Sequence, residues 1–204
     1  ESAATDTDTD IALATFPYRA RYTCHLKRLK NMKATEFKRR RNQLMKMMGK
    51  NTIAILPSAS ELIRNRDAHF PFRQDSDFLY LTGFDEPDAV VVLKPGRKHG
   101  EYILFCREKD PEKETWNGRR AGQEGAIEFH GADDSFPIDD LDDILPGLLE
   151  GTDSIFNIMG RYSEFDKRLI GWVTHIREHS RSGMHVPSEF VALDYLLHDM
   201  RLYK

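Results

Sequence analysis

Apolar positions along the chain alternate between short continuous runs and longer stretches spaced three or four residues apart. The short runs at 52–56, 89–93, 101–106 and 154–159 are bounded by proline, glycine or charged residues and predict strands. Phe78, Tyr80 and Thr82 alternate with Leu79 and Leu81, which predicts a further strand stopped by Gly83 and Asp85-Glu86-Pro87. The link between residues 93 and 101 holds Pro95, Gly96 and Gly100, as a hairpin turn does. Helical spacing appears elsewhere. Thr35 can cap a helix with Glu36 in its first turn, Phe37, Leu44 and Met48 share its apolar face, and Gly49 ends it. Arg39, Arg40 and Arg41 then point mostly to water. Residues 123–129 and 141–149 predict two more helices, the second kinked or shortened by Pro146. Ser163 caps the strongest one, with Asp166 at its third position and Phe165, Leu169, Trp172, Val173 and Ile176 in one stripe. Helices that each bury a single face, beside consecutive strands on short links, predict a layered α/β domain with a mixed β-sheet flanked by helices.

Composition narrows the function classes. At 204 residues, 40% hydrophobic and 31% charged, the chain is an ordinary candidate for one globular core. A formal net charge of −3 gives no reason to expect nucleic acid, and no window holds the roughly twenty apolar residues that a membrane crossing needs. Charge is nonetheless uneven: residues 27–50 are basic, whereas residues 128–143 carry Asp133, Asp134, Asp139, Asp140, Asp142 and Asp143, a run that reads as solvated faces and helix starts. Two cysteines, Cys24 and Cys106, are too few for a disulfide framework, and Cys106 closes an apolar run as a buried free thiol would. That usage fits a reducing, cytoplasmic location. Residues 1–31 differ from the rest. The Thr-Asp repeat at 5–10 has nothing to bury, and the next twenty residues or so are basic and free of acids, so this stretch reads as a disordered or appended leader with Met32 as the natural start.

Three patterns bear on chemistry. His175-Ile176-Arg177-Glu178-His179 matches H-x-x-E-H, which on a helix places two histidines on one face; a zinc site would need a third ligand, for which Glu189 is nearly the only downstream candidate. An ordinary half-buried histidine explains His179 as well. Gly118, Gly122 and Gly125 around Arg119-Arg120 meet neither the dinucleotide nor the phosphate-loop spacing; Asn117-Gly118 reads as a turn, and the arginines as counter-charges to Asp110, Glu112 or Glu114. No serine or cysteine stands in a nucleophile context.

Four ordered blocks carry a family likeness: 73–87, reading RQDSDFLYLTGFDEP; 107–120, from REKDP to ETWNGRR; Gly131-Ala132-Asp133; and 198–204, HDMRLYK. Together they resemble the amino-terminal domain of Xaa-Pro aminopeptidases, in the creatinase/prolidase group, from about Thr35 to the last residue. The resemblance implies that group's amino-terminal fold, a mixed sheet flanked by helices, over residues 32–204. It places catalysis in a following pita-bread domain, where two Asp, two Glu and one His bind two manganese ions. It therefore implies no catalytic or metal-ligating residue in this chain, which by itself is expected to be inactive.

The resemblance also assigns positions at the substrate cleft. Asp67, ahead of His69-Phe70-Pro71-Phe72-Arg73-Gln74, matches an aspartate on the cleft rim, and Arg181 matches a rim arginine, with Arg177 competing for that match. Trp116, in the ETWNGRR block, matches a tryptophan that reaches into a neighbouring subunit's active site. Read structurally instead, Asp67 caps a turn, Trp116 packs in a core and Arg181 is a surface cation. The implied partners are peptides with proline second, the protein's own catalytic domain and further copies in a homo-oligomer. The alternative is a non-catalytic peptide- or histone-binding module of the same fold that docks a basic partner on the acidic run. Nucleic-acid binding through Arg39-Arg40-Arg41 lacks aromatic interleaving on that helix.

Overall fold

The computed structural model describes residues 34–179 and 185–202, with the side chains of Trp116 and Asn117 outside the description. The leader 1–31, Met32 and Arg181 also lie outside the described residues. Among the described residues no helix is long and apolar enough to cross a membrane.

Helix α1 (Ala34–Met48) leads into strand β1 (Thr52–Pro57), the hairpin strands β2 (Ile63–Asn65) and β3 (Ala68–His69), and helix α2 (Ser76–Thr82). Strands β4 (Val90–Leu93) and β5 (Tyr102–Cys106) follow, then short helices α3 (Pro111–Asn117) and α4 (Gly122–Glu128). Strand β6 (Asp134–Pro137), helix α5 (Leu141–Leu149), strand β7 (Ser154–Asn157), helix α6 (Ser163–His179), strand β8 (Glu189–Ala192) and helix α7 (Leu193–Leu202) complete the order. The main sheet runs β6-β5-β4-β1-β7-β8. β4 is antiparallel to both β1 and β5, while β5–β6, β1–β7 and β7–β8 are parallel, so the sheet is mixed as predicted.

Strand pleating sorts the core into two layers. Ala54, Leu56, Val91, Leu93, Tyr102, Leu104 and Phe156 face helices α1, α2, α4 and α7. Ile53, Ile55, Val90, Val92, Ile103, Phe105 and Ile155 face helices α5 and α6. Continuous apolar runs are what a strand covered on both faces requires, and each fully buried Ile or Leu contributes about 1.5–3 kcal/mol. Cys106 is a buried free thiol, pushed up to about 11 by burial.

Three local expectations are corrected. Residues 78–82 form helix α2, not a strand. Asp75 is its N-cap, its Oδ1 accepting from Asp77 N at 2.8 Å and Phe78 N at 3.1 Å, and Gly83 (φ 66°) is its left-handed C-cap, donating to Leu79 O at 2.9 Å. The alternation of Phe78 with its neighbours misleads because Phe78, Leu79 and Leu81 are all buried, leaving no polar face to set the period. Arg41, expected in water, is buried: it donates to Leu81 O at 3.0 Å and lies 3.9 Å from the Tyr102 ring centroid. Arg40 donates to Tyr80 O at 3.1 Å, so two α1 arginines serve the orphan carbonyls at the end of α2. Helix α5 runs through Pro146 to Leu149; Leu141, Leu145 and Leu149 seat it on the sheet despite the missing donor.

The C-terminal helix is fastened to α2 through one carboxylate. Asp77, nearly buried, accepts from Arg161 Nη1 at 2.7 Å and meets Arg201 Nη1 at 2.5 Å. Arg161 also reaches Asp75 at 3.0 Å, and the Tyr162 hydroxyl donates to the same oxygen at 3.2 Å. Arg40 and Arg201 both lie over the Tyr80 ring, at 4.1 and 4.6 Å.

Candidate functional site

Asp67 lies in the two-residue turn of the β2–β3 hairpin beside Arg66, which takes a left-handed φ of 49°. The whole of 61–70 is exposed, including Leu62 at 67% and Ile63 at 66%. A projecting hairpin with a carboxylate at its tip and apolar flanks suits contact with a ligand or a partner more than core formation. Phe70 N donates to Leu62 O at 2.9 Å, and Arg64 sits 5.9 Å from the Phe70 ring centroid. At the hairpin's base Gln74 is buried and uses both ends of its amide. Its Oε1 accepts from Ala59 N at 2.8 Å and Asp75 N at 2.9 Å; its Nε2 donates to Phe84 O at 3.3 Å and Glu86 O at 2.7 Å. A buried amide so satisfied pins three chain segments together.

Trp116 belongs to the last turn of α3, on an excursion that leaves the sheet at Cys106 and returns at Gly122, where α4 begins to pack against the sheet. Asp110 starts that helix, its Oδ1 accepting from Glu112 N and Lys113 N at 3.2 Å, with Pro111 next in the sequence. Gly118 (φ 85°) ends it. Where the excursion returns, a Cβ on Gly122 would lie 2.8 Å from Lys109 Cγ, a close approach that only glycine permits.

Glu86 stands beneath this excursion. Its Oε1 accepts from Ala121 N at 2.8 Å, and its Oε2 lies 3.9 Å from Arg107 Nη2. Burial pushes the Glu86 carboxyl up from its ordinary range, opposed by the Ala121 N–H and by Arg107 and Arg120, with Glu114 adding to the rise. Arg120 donates to Glu108 O at 3.3 Å and its charge acts on Glu86, while Asp110 pairs with Lys113 at 3.2 Å. The expected pairing of Arg120 with Asp110, Glu112 or Glu114 is corrected to that extent. Glu86 Oε2, Glu114 Oε1, Arg107 Nε and Arg120 Nε are buried without a hydrogen-bond partner among the described residues.

Asp67 and Trp116 are thus carried on separate projections, and Arg181 lies outside the described residues, as does the Trp116 side chain. Sequence reasoning passed over Gln74 and Glu86, although both fall inside the quoted blocks. A lone Gln or Glu among strand and turn residues carries no mark of burial; only the chemical type, a bifunctional amide and a carboxylate between two later arginines, hints at it.

The remaining candidates resolve as follows. His175 and His179 lie with ring centroids 4.2 Å apart, His179 Nδ1 is 2.8 Å from His175 O, and His179 is exposed, not half-buried. Glu189 accepts the Ser154 hydroxyl at 2.8 Å. Among the described residues no group of three or more His, Cys, Asp or Glu could hold a metal ion. Much of the acidic run has structural partners: Asp133 accepts from Glu101 N and Tyr102 N at 2.9 Å, Asp134 from Arg97 at 2.9 Å, and Asp142 from Trp172 Nε1 at 2.9 Å and Arg168 at 3.0 Å.

Two helical layers on a mixed six-stranded sheet, with an exposed hairpin and a fastened excursion, define a three-layer α/β domain that presents side chains outward. The chain belongs to the aminopeptidase P N-terminal domain family, whose profile matches residues 37–156. It is 36% identical over 170 residues to the Xaa-Pro aminopeptidase of Escherichia coli K12, covering 83% of this chain and 38% of that protein. Among solved structures it is similar to Pseudomonas aeruginosa aminopeptidase PepP, at 60% identity and a TM-score of 0.82 over 85% of this chain and 39% of that one. It is also similar to E. coli aminopeptidase P with the inhibitor Pro-Leu, at 34% identity and a TM-score of 0.79, again over 85% and 39%. The chain therefore spans well under half the length of these relatives.

Proposed function

We propose that this chain is the substrate-gating and oligomerisation domain of a manganese-dependent Xaa-Pro aminopeptidase, which removes the first residue from peptides with proline second. The observation that carries the reading is the exposed, rigidly based hairpin with Asp67 at its tip, in a domain of this family. The relatives' names support the activity, and the E. coli enzyme with the inhibitor Pro-Leu, or zinc-substituted with product, supports a metal-dependent prolyl substrate site. In this reading Asp67 attracts the ammonium group of an incoming peptide, Arg181 lines the same rim, and Trp116 narrows the mouth of a neighbouring subunit's site. A narrow rim admits a free amino terminus and excludes chain interiors. The two manganese ions belong to the domain that follows, and no hydrolytic step is assigned to residues of this chain. A cytoplasmic location is part of the same proposal.

The histone-binding alternative depends on a free acidic run, and the internal bonds of Asp133, Asp134 and Asp142 weaken it. The test is steady-state kinetics on the full-length protein with manganese. Asp67→Asn, Arg181→Ala and Trp116→Ala are each expected to raise KM for a short Xaa-Pro peptide about three- to tenfold, as loss of binding contacts worth about 1 kcal/mol does. The 204-residue chain alone is expected to release no amino acid from the same peptide. Unchanged KM in all three variants, or turnover by the isolated chain, would overturn the reading.

A further inference from the structure

The projections that carry Asp67 and Trp116 share one root. Gln74, at the base of the hairpin, donates to Glu86 O at 2.7 Å. The Glu86 side chain accepts from Ala121 N at 2.8 Å where the excursion returns, and faces Arg107 Nη2 at 3.9 Å where it departs. One residue thus meets the hairpin's base through its backbone and both ends of the Trp116 excursion through its carboxylate. We propose that Glu86 is a positioning residue that sets where helix α3 stands relative to the Asp67 hairpin. The proposal rests on the gating reading of Trp116.

The physical case lies in what else could hold α3. Its residues Pro111, Glu112, Lys113 and Thr115 are exposed; Gln123 Nε2 joins the two ends of the excursion by donating to Cys106 O at 3.2 Å, and the other ties are an exposed Lys109–Glu124 pair at 3.3 Å and the long Arg120 bond to Glu108 O. Exposed pairs of that kind contribute little to holding a segment in place. The Glu86 carboxylate is only 20% exposed and stands between two arginines whose Nε atoms lack partners. Removing it orphans the Ala121 N–H and upsets the charge balance around Arg107 and Arg120, with Glu114 left as the nearby carboxylate. The excursion then keeps the Gln123–Cys106 bond but loses its tie to Glu86 at both ends, and α3 can shift. The hairpin keeps its own staple, because Gln74 bonds to the Glu86 backbone carbonyl and not to its side chain. The inference therefore separates the two projections: a change at the Glu86 side chain disturbs Trp116 and spares Asp67.

A double-mutant cycle in the full-length, manganese-loaded protein tests this. Glu86→Ala is expected to raise KM for a short Xaa-Pro peptide about fivefold with kcat changed less than about twofold, and to leave KM unchanged in a Trp116→Ala background. Glu86→Gln, which keeps an acceptor for Ala121 N–H, should fall between wild type and Glu86→Ala, and it carries the test if Glu86→Ala does not fold. Equal KM rises in both backgrounds would make Glu86 a merely structural residue. Unchanged KM in a folded Glu86 variant, beside a raised KM in Trp116→Ala, would overturn the positioning role and leave the gating reading intact. A Trp116→Ala protein indistinguishable from wild type would overturn the gating reading and the positioning role with it.

Discussion

His130 presents its ring edge-on to Phe84, centroids 4.9 Å apart, within reach of the buried Arg41 charge. Burial first, and then Arg41, holds its pKa below the ordinary 6.5. A histidine whose folded pKa is depressed contributes stability that is present above the unfolded value and is lost as pH falls through the folded one. Urea unfolding midpoints are therefore expected to decline as pH drops from 7 to 5.5, and His130→Phe should flatten that slope; an unchanged slope would remove His130 as its source. None of this was legible in the sequence, where His130 is one of eight histidines with no distinguishing neighbour. Arg41 was misread for the same reason. An arginine in a basic run looks solvated until a tyrosine from a distant strand and a helix end come to meet it.

Elements with a distinct apolar pattern were read correctly: α6 from its one-sided stripe, β1, β4, β5 and β7 from continuous apolar runs. Elements without one were not. α2 lacks a polar face, β6 and β8 lack apolar runs, and β2–β3 is wholly exposed, so periodicity had nothing to detect. The α2 helix was instead announced by its ends, an aspartate cap and a glycine stop, which weigh more than alternation over five residues. The α1–α2 junction depends on that glycine. A Cβ on Gly83 would lie 2.7 Å from the Phe37 ring, at a φ that side chains rarely adopt. Gly83→Ala is expected to cost about 3 kcal/mol in unfolding free energy, combining left-handed strain with overpacking. Adding Phe37→Leu should recover part of that loss by relieving the clash, so the double variant is predicted to cost less than the two single changes added together. Strict additivity in chemical denaturation would show that the ring does not oppose the new methyl.

For the molecule as a whole, the sequence supplied the blocks but not their junctions. RQDSDFLYLTG and HDMRLYK stand more than a hundred positions apart, yet Asp77 of one holds Arg201 of the other, with Arg161 from between them. Such a pairing is invisible along the chain because nothing local depends on it. Asp77→Asn, which keeps shape and removes charge, is expected to destabilise the fold by about 2 kcal/mol, less than a fully buried pair because both arginines are about one-third exposed. Hydrogen exchange should show the loss concentrated in α7 amides, and uniform acceleration across the sheet would contradict the tie. The strand order carries a last consequence, for synthesis. β1 gains its β4 neighbour early, but its other edge stays open until β7 has been made roughly sixty residues later, about 3–12 seconds at ordinary ribosomal speed. For that interval the nascent protein exposes a bare isoleucine- and leucine-bearing border, and crowding or pausing then, more than any weakness of the finished fold, sets how much of it goes astray.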